Sequence, residues 1–328
     1  MVLNIACGPR LVSSSIRAVS IRFLFPGSRY SYRPEVQFCS NRGALVTTNR
    51  IAFQGEPGAY SHEACRKARP SMEALPCRTF EDVIEAVRSH QADLAMLPVE
   101  NSTYGRVADI HHLLPESGLH IIDEAFVRVH ISLLAVPGTP LSQVREAMSH
   151  TVLLGQCRGF LRQHGIRGVT GADTAGSAKE VAARGNPSLA ALASPLAGEI
   201  YGLDRLADQI EDRQNNTTRF LIMSREPDFA RRSDNMLTSF VFRVRNIPAA
   251  LYKAMGGFAT NGVNMTKLES YMVDGVFTAT QFYADVEGHP EDPALQRALE
   301  ELRYFTSMLN ILGTYPADPL RATQQNGG

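Results

Sequence analysis

The chain has little that would point to a membrane, a nucleic acid or an oxidising compartment. Its 33 basic and 33 acidic residues cancel, which argues against nucleic acid as the main partner. Its five cysteines are odd in number and form no Cys-x-x-Cys pair, so they indicate reduced thiols in a cytoplasmic protein, without a disulfide framework or a metal site. No apolar run approaches the ~18 residues that a membrane-spanning helix needs, so we expect no membrane partner.

The 328 residues, 44% of them hydrophobic, predict two or three domains with a sizeable core. The first 45 residues differ from the rest, with six arginines, no lysine and one acid, Glu35. They lack the apolar stretch of a secretory signal, which leaves a transit peptide or a translation start at Val46 from a GTG codon. We favour Val46, because ordered patterning begins directly behind it, and we expect residues 1–48 to be a disordered or wrongly assigned extension.

Short apolar strands alternate with helical segments from residue 50 to about residue 225. This order predicts an α/β protein with largely parallel sheets and crossover helices. Ligands of such sheets bind at the loops beyond the carboxyl ends of the strands. The polar segments QGEPGAYS, VENSTYG, DTAGS and NNTTR fall at or near these places, which makes them the first candidates for a site.

Local signals predict where several helices begin. Thr79 and Asp82 form a capping-box pair, and Ser61 and Thr174 are the expected N-caps of the helices that follow them. The segment PLSQVREAM is predicted to be a helix, and the next apolar run, TVLL, a strand. Because helix N-termini attract anions, Ser61 and Thr174 are expected at anion-binding positions.

The pattern changes after a charged linker, EPDFARRSDN. A strand, a helix from Pro248, two strands joined by an Asp274-Gly275 turn, a second helix and a last strand follow. The order βαββαβ predicts a ferredoxin-like sandwich over residues 238–315, and the tail, residues 316–328, is expected to fray. The second helix should turn four residues inward: Leu295, Ala298, Leu299 and Leu302.

The segment NNTTRFLIM, residues 215–223, sets four polar residues before an arginine and an apolar run. Asn and Thr favour loops, and a short apolar run bounded by polar residues is typical of a buried strand. Thr218 and Arg219 are therefore expected where a loop enters a sheet. From these residues alone, the alternative is a surface turn with a solvated arginine.

Four motifs in order resemble the prephenate dehydratases, lyases that form phenylpyruvate for phenylalanine synthesis. FQGEPGAYSHEA is similar to the family's Gly-x-x-Gly-x-Tyr-Ser-His opening, LPVENSTYGRV to its Pro-x-Glu-Asn-Ser loop, DTAGSA to its Ser/Thr-Thr-Ala helix start and NNTTRFLI to its Thr-Arg-Phe signature. Each motif alone is weak, but the four in this order, followed by a βαββαβ module, are specific. The resemblance covers residues 50 to about 315.

The resemblance implies a catalytic domain over residues 50–225 with two lobes, like a periplasmic binding protein. One lobe would comprise residues 50–127 together with 205–225, and the other would comprise residues 128–204. The reaction that it implies gains its driving force from formation of an aromatic ring, so we expect no cofactor and no metal.

The C-terminal module resembles an ACT domain, which in this family binds phenylalanine. The effector-binding residues that the resemblance implies are Ala250, Leu251, Asn264, Glu269 and Ser270. This chain has Tyr271-Met272 where the family has Arg-Pro, which leaves the strength and sign of phenylalanine regulation open. Our expectation is that phenylalanine lowers the activity of a homodimer or homotetramer.

The resemblance also implies roles in catalysis. Thr218 matches the threonine to which the family assigns the essential role, and we expect its hydroxyl to stabilise the departing ring hydroxyl. Arg219 offers a planar fork that should hold the carboxylate that stays, because holding the leaving one would slow its departure. The implied substrate-binding residues are Tyr60, Ser61, Asn101, Ser102, Thr174, Asn216 and Phe220.

Two other functions remain open at this point. Arogenate dehydratase would use the same fold and chemistry on a substrate that carries an ammonium group where prephenate carries a keto group. A non-catalytic amino-acid sensor with two lobes would not need Thr218, so a Thr218→Ala variant separates it from both enzymes.

Overall fold

The computed structural model describes residues 48–213, 215–245, 247–272 and 279–321. The N-terminal extension and the expected Asp274-Gly275 turn lie outside these residues. The strands are β1 (Arg50–Gln54), β2 (Glu73–Cys77), β3 (Leu94–Asn101), β4 (Gly105–Arg106), β5 (His120–Arg128), β6 (Ser132–Ala135), β7 (Glu146–Ser149), β8 (Arg167–Thr170), β9 (Leu189–Ala193), β10 (Asp204–Ala207), β11 (Thr217–Ser224), β12 (Met236–Val244), β13 (Met265–Met272), β14 (Ala279–Glu287) and β15 (Thr306–Pro316).

The helices are α1 (Tyr60–Ala68), α2 (Phe80–Arg88), α3 (Ala108–Leu113), α4 (Thr151–Gln156), α5 (Arg158–Gln163), α6 (Thr174–Arg184), α7 (Pro195–Tyr201), α8 (Ala250–Thr260) and α9 (Pro293–Phe305). Among the described residues, no helix combines the length and the apolar character that crossing a bilayer requires.

Two sheets organise the described residues. The larger has the strand order β13-β14-β12-β15-β5-β11-β3-β1-β2, with β4 added against β3, and the smaller has the order β10-β6-β9-β7-β8. The expectation of parallel sheets holds only in part. β1 is parallel to β2 and β3, but β11 returns from the second lobe and runs antiparallel to both β3 and β5.

The two sheets belong to two lobes, as the resemblance implied. The chain leaves the first lobe after β5 and returns just before β11, and these two crossings lie side by side. The N–H of Val129 donates to the Asn216 carbonyl at 2.8 Å, and the N–H of Ile210 donates to the Ile131 carbonyl at 3.1 Å. Because β10 still pairs with β6, the return comes after Ala207 and not at residue 205 as expected.

The C-terminal module has the predicted βαββαβ order, with β12, α8, β13, β14, α9 and β15 in sequence. α8 begins at Ala250 and not at Pro248, because Ala249 before it has a left-handed backbone with φ of 60°. The predicted inward residues of α9 are all buried, namely Leu295, Ala298, Leu299 and Leu302.

The sheet of the module continues the sheet of the first lobe. β15 runs parallel to β5, with Gly313 opposite Ile121. The residue directly before the linker is docked as well, since Arg225 donates to the carbonyls of Val87 and Ala92. Joining β15 to β5 covers two strand edges that would otherwise be open, so the module and the first lobe share one sheet.

The start of the tail is also anchored, which corrects the expectation that it frays. Arg321 contacts both oxygens of Glu124 on β5, with Nε at 2.6 Å and Nη2 at 2.8 Å. The N–H of Asp318 donates to the same carboxylate at 2.9 Å. A two-pronged arginine–carboxylate pair is strong and directional, so it holds residues 316–321 against the first lobe. The rest of the tail lies outside the described residues.

Local predictions had mixed outcomes. The capping box of Thr79 and Asp82 is confirmed. Ser61 lies in the first turn of α1 and does not cap it, and Asp173 caps α6 in place of Thr174. The run TVLL begins α4, and PLSQVREAM forms a short 3₁₀ turn followed by β7. The sequence therefore predicted the wrong kind of element for TVLL and for PLSQVREAM. Both segments are short, and the apolar pattern of a short segment does not distinguish a helix from a strand.

We expect Gly313→Ala to weaken the joint between the module and the first lobe. A Cβ at Gly313 would lie within 2.8 Å of the backbone nitrogen of Ile121 and nearer still to its carbonyl group. Backbone atoms cannot rotate away, so the strands must separate, and overpacking of this kind costs about 1–3 kcal/mol of unfolding free energy. Urea unfolding measures the loss.

The matched control is Gly256→Ala in α8, where an added Cβ meets nothing within 4 Å. Alanine is the better helix former, so this variant should be neutral or more stable by up to ~1 kcal/mol. Equal stability of the two variants would contradict the close packing of β15 on β5.

Candidate active site

Three polar side chains meet where β3 ends and β11 begins. Asn101 lies opposite Thr218 in this antiparallel pair. Its Nδ2 donates to the Thr218 hydroxyl at 3.0 Å and to Oδ1 of Asn216 at 2.6 Å. Its Oδ1 accepts from the N–H groups of Thr103 and Tyr104 at 2.9 and 3.0 Å. Asn101 is thus fully engaged, and the hydroxyl that it holds keeps its own proton for donation.

Two neighbouring contacts extend this cluster. The Ser102 hydroxyl accepts from the N–H of Thr217 at 2.9 Å and donates to the Asn215 carbonyl at 2.7 Å, so it ties the loop after β3 to β11. Asn216 donates to Oε1 of Gln156 at 3.1 Å and so reaches α4 in the second lobe. Four predicted site residues therefore come together here: Asn101, Ser102, Asn216 and Thr218.

A cavity of about 220 Å³ lies between the lobes and contains three more of the predicted residues. The Tyr60 hydroxyl donates at 2.8 Å to the carbonyl of His130, which lies in the segment that connects the first lobe to the second. This bond fixes one wall of the cavity. The predicted residues among its lining are Tyr60 and Ser61 from the first lobe and Thr174 from the second. Gln54, Gly55, Ala59, His150 and Asp173 complete the lining.

The N-terminus of α1 faces this cavity without a side-chain cap. Its N-cap residue is Ala59, which has no group that could accept from the N–H groups of the first turn. By contrast, Asp173 caps α6 by accepting from the N–H of Gly176. Unpaired N–H groups and the positive end of the helix dipole favour an anion. We therefore interpret the start of α1, at Tyr60 and Ser61, as the anion-binding side of the cavity.

Thr218 and Arg219 lie on opposite faces of the larger sheet, because successive residues of a strand point to opposite sides. Phe220 packs with Ile51 and Phe53 on the face that α1 covers. Thr218 shares that face with Phe220, so it belongs to the cleft side. Arg219 points to the other side, where the C-terminal module packs, which separates two residues that were expected to act on one substrate.

The guanidinium of Arg219 is enclosed by protein groups, and the residue is 2% exposed. Nε donates to Glu124 at 2.7 Å, Nη1 to Glu100 at 2.9 Å and to Asp285 at 2.7 Å, and Nη2 to the Tyr315 hydroxyl at 2.9 Å. This arrangement corrects two expectations. The arginine is not solvated at a surface turn, and the carboxylates that it holds belong to the protein and not to a substrate.

The charge of Arg219 sets the protonation of its partners. Burial is the largest single influence and by itself raises the pKa of Glu100 and of Asp285, but the guanidinium of Arg219 acts together with further cations and hydrogen bonds, and their sum holds both pKa values below their usual range. Lys267 lowers the pKa of Glu100 further. Glu100 is therefore ionised at neutral pH and is not a proton donor there.

The predicted effector residues lie on separate elements of the module. Ala250 and Leu251 begin α8, Asn264 precedes β13, and Glu269 and Ser270 belong to β13, an edge strand of the larger sheet. Glu269 contacts Nζ of Lys267 at 3.2 Å. Tyr271, at the position of the family's arginine, accepts from Nε2 of Gln281 at 2.8 Å through its hydroxyl.

Three residues that contact the site belong to none of the four motifs, namely Asp285, Lys267 and Gln156. Asp285 stands between Ala284 and Val286 in the strand segment QFYADVEG, and an acid among buried apolar residues is a signal that could have been used. Lys267 and Gln156 carry no comparable signal, because polar residues are ordinary in the segments around them.

Comparison with known sequences gives one consistent family. Residues 51–228 match the family model described as prephenate dehydratase. A bifunctional N-acyl-homoserine lactone acylase/prephenate dehydratase from Komagataeibacter europaeus is 53% identical over 272 residues, which are 83% of this chain and 97% of that protein. The chloroplastic arogenate dehydratase/prephenate dehydratase 1 of Arabidopsis thaliana is 40% identical over 286 residues, which are 83% of this chain and 73% of that protein.

Two solved structures resemble this chain both in fold and in sequence. The prephenate dehydratase of Arthrobacter aurescens in complex with L-Phe is 30% identical, with a TM-score of 0.74 over 84% of this chain and 97% of that one. A protein described as a novel type of quorum-quenching acylase is 52% identical, with a TM-score of 0.79 over 83% of this chain and 99% of that one.

Asp285→Asn should destabilise the protein by about 3 kcal/mol at pH 7, because it removes one anion from the buried Arg219 cluster. The pKa of Asp285 is lowered on folding, so its contribution is present above its unfolded pKa of about 4 and is lost as the pH falls through the lowered folded value. The difference between wild type and variant should therefore shrink below about pH 4. Chemical unfolding across this range measures it.

Glu73→Gln serves as the control, because Glu73 pairs with Arg50 at the surface, where the side chains are 64% and 41% exposed. Such a pair contributes less than ~1 kcal/mol. A loss in Asp285→Asn no larger than in this control would contradict the importance of the buried cluster.

Proposed function

The chain belongs to the prephenate dehydratase family and is a carbon–oxygen lyase, and we propose that it converts prephenate to phenylpyruvate, CO₂ and water in L-phenylalanine synthesis. The observation that carries this proposal is the hydrogen bond from Asn101 to the Thr218 hydroxyl at 3.0 Å, on the cleft side of the sheet. Because the Thr218 hydroxyl is the acceptor in this bond, its own proton stays available for donation to a substrate. We also place the reaction in the cytoplasm, in line with the reduced thiols that the cysteine pattern indicates.

In this reaction the protein mainly binds the substrate and orients its leaving hydroxyl. Electrons of the bond to the departing carboxylate move into the ring and expel the ring hydroxyl, which takes up a proton and leaves as water. Formation of the aromatic ring supplies the driving force. A threonine hydroxyl is too weak an acid to give up its proton at neutral pH, so Thr218 donates a hydrogen bond to the leaving hydroxyl and orients it while a proton arrives from water. Asn101 keeps the Thr218 hydroxyl in this orientation.

The substrate carries two carboxylates, and the cavity between the lobes has a place for one of them. The uncapped N-terminus of α1, at Tyr60 and Ser61, binds the carboxylate that stays. Thr174 contributes from the opposite lobe, and Asn216 joins the lobes through Gln156. Phe220 supports Thr218 from the core beneath it.

The role of Arg219 in this mechanism is indirect. Its side chain is on the far side of the sheet, where it is saturated with protein carboxylates. It holds the backbone of its neighbour Thr218 in place, so it is a positioning residue and does not bind the substrate. This assignment replaces the earlier expectation that its fork holds a carboxylate of the substrate.

L-Phenylalanine is the proposed effector of the ACT-like module, supported by the L-Phe complex of the Arthrobacter aurescens relative. The binding residues on this chain would be Ala250, Leu251, Asn264, Glu269 and Ser270. β13 is an edge strand with Leu268 and Met272 exposed, which suits pairing with a second copy of the chain. A homodimer or homotetramer with the effector between paired modules is therefore part of the proposal.

Arogenate is the alternative substrate, because the relative from Arabidopsis thaliana is named for both arogenate and prephenate. It differs from prephenate by an ammonium group in place of a keto group, which leaves the chemistry at the ring unchanged. Measuring kcat/KM on both substrates decides between them, and we expect prephenate to be preferred.

The relative from Komagataeibacter europaeus is also named an acylase of N-acyl-homoserine lactones, which makes this a second candidate activity. An acylase needs a nucleophile that an adjacent base activates. Among the described cleft residues, His62 and His150 accept through Nδ1 from the N–H groups of Gly58 and Val152 and show no hydrogen bond to a hydroxyl. Release of homoserine lactone from an acylated substrate would establish the activity, and we expect dehydration to dominate.

Thr218→Ala should lower kcat for phenylpyruvate formation by about 10²–10³-fold, because it removes a hydrogen bond to charge that develops in the transition state. KM should change little, since the hydroxyl contributes mainly to the transition state. Steady-state kinetics with purified protein and prephenate measure both constants.

The adjacent Thr217→Ala is the matched control, because Thr217 points to the opposite face of the same strand. It should retain wild-type turnover within about twofold. If Thr218→Ala keeps its turnover, the enzyme stands but this mechanism fails. If wild type turns over neither prephenate nor arogenate, the dehydratase proposal is wrong, and the result favours a non-catalytic amino-acid sensor.

Saturating L-phenylalanine should lower kcat/KM for prephenate by about 5–150-fold, the usual range for coupling between two sites. Ser270→Ala and Leu251→Ala should weaken the response if these residues bind the effector. Kinetics with and without L-phenylalanine measure the response, and an unchanged rate at saturation would mean that the Glu-Ser-Tyr-Met stretch has lost the regulatory role.

A further inference from the structure

One strand of the module contacts both strands that flank the loop after Asn101. The loop between β3 and β4 comprises residues 102–104, and Glu100 on β3 faces Arg106 on β4 in the strand pair that flanks it. Glu100 accepts from Nζ of Lys267, and Arg106 donates through Nη1 to the carbonyl of Ser270 at 2.7 Å. Lys267 and Ser270 both belong to β13. The loop is therefore clamped at each end by the same strand.

The clamp leads directly to the Asn101–Thr218 hydrogen bond. Glu100 lies opposite Arg219, and Asn101 lies opposite Thr218, in the pairing of β3 with β11. Glu100 divides its two oxygens between Arg219 and Lys267. A displacement of Glu100 would therefore move the backbone of Asn101 and the amide that holds Thr218.

Burial makes the clamp sensitive to its partners. The side chain of Lys267 is 13% exposed, so its charge needs the carboxylates of Glu100 and Glu269 around it. Glu269 is one of the proposed effector residues, and it binds the same ammonium group as Glu100. A ligand that engages Glu269 or the backbone at Ser270 would change the hold on both ends of the loop.

We propose that Lys267 and Arg106 are positioning residues through which β13 sets the geometry of the Asn101–Thr218 pair and transmits effector binding to it. The regulatory half of this inference rests on the proposed function, since it takes β13 as an effector-binding strand. The structural half does not, because it rests only on contacts between residues of the chain. Arg219 is the fixed point of this arrangement, and Lys267 and Arg106 are its adjustable contacts.

The structural half is tested by hydrogen exchange of the loop, which requires no activity. The N–H groups of Thr103 and Tyr104 donate to the Asn101 side chain, so their exchange reports whether the loop is held. The double variant Lys267→Met/Arg106→Met should exchange them about tenfold faster than wild type, the effect of losing roughly one charge-assisted hydrogen bond. Thermal unfolding confirms that the variants are folded, and each single variant is measured beside the double.

The control is Arg303→Met, an exposed arginine on α9 of the same module. It changes the charge of the module equally and should leave the exchange of the loop as in wild type. Loop exchange in the folded double variant that equals the control would overturn the clamp.

The regulatory half is tested by kinetics and calorimetry together. In the double variant, kcat for prephenate should fall about tenfold with KM nearly unchanged, because a loosened Thr218 loses transition-state contacts. L-Phenylalanine should still bind by calorimetry, but its effect on kcat/KM should shrink toward none, and Lys267→Arg should retain most of it. A wild-type response to L-phenylalanine in the double variant would overturn the transmission.

The two proposals fail in different ways. If wild type forms no phenylpyruvate, the proposed function is lost, but the exchange experiment still decides whether β13 holds the loop. If wild type is active and is inhibited by L-phenylalanine, while the double variant behaves as the Arg303→Met control does, the proposed function is supported and the positioning role of Lys267 and Arg106 is wrong.

Discussion

The structure depends on the burial of one guanidinium. At 2% exposure, Arg219 is stable only with ionised partners, and it takes them from three strands: Glu100 on β3, Glu124 on β5 and Asp285 on β14. The first two strands belong to the first lobe and the third to the module. Neither part can move away without leaving a buried charge unpaired, which joins the module to the catalytic sheet more firmly than a linker could. Arg321 adds a second cation to the same cluster through Glu124.

Strand alternation divides two tasks between neighbouring residues. Thr218 faces the cleft with a hydroxyl held for donation, while Arg219 faces the module with a charge that must be neutralised. The same division holds on the partner strand, where Asn101 faces Thr218 and Glu100 faces Arg219. In the proposed clamp, the side chain of Lys267 holds Glu100 on the module face, and the backbone of β3 connects Glu100 to Asn101 on the cleft face.

Local signals predicted much of the fold. The capping box at Thr79 is confirmed, because it depends on residues within one turn. The same local rules account for the start of α7 after Ser194 and for the left-handed glycines Gly185 and Gly202 that follow α6 and α7. The run TVLL and the cap of α6 were wrong, since four apolar residues fit either element and Asp173 stands one position before the expected Thr174. The order of the elements in the module was correct throughout the described residues.

The sequence by itself determined the family, the two-lobed and βαββαβ architecture and the identity of Thr218 as the candidate for catalysis, because motifs, periodicity and turn residues are local. Only the tertiary structure decided what Arg219 does, that the tail docks through Arg321, and that β13 reaches both ends of the loop after β3. Those outcomes depend on side chains that are 66 to 197 residues apart in the chain. Contacts at such separations are set by how sheets pack, which no local pattern encodes.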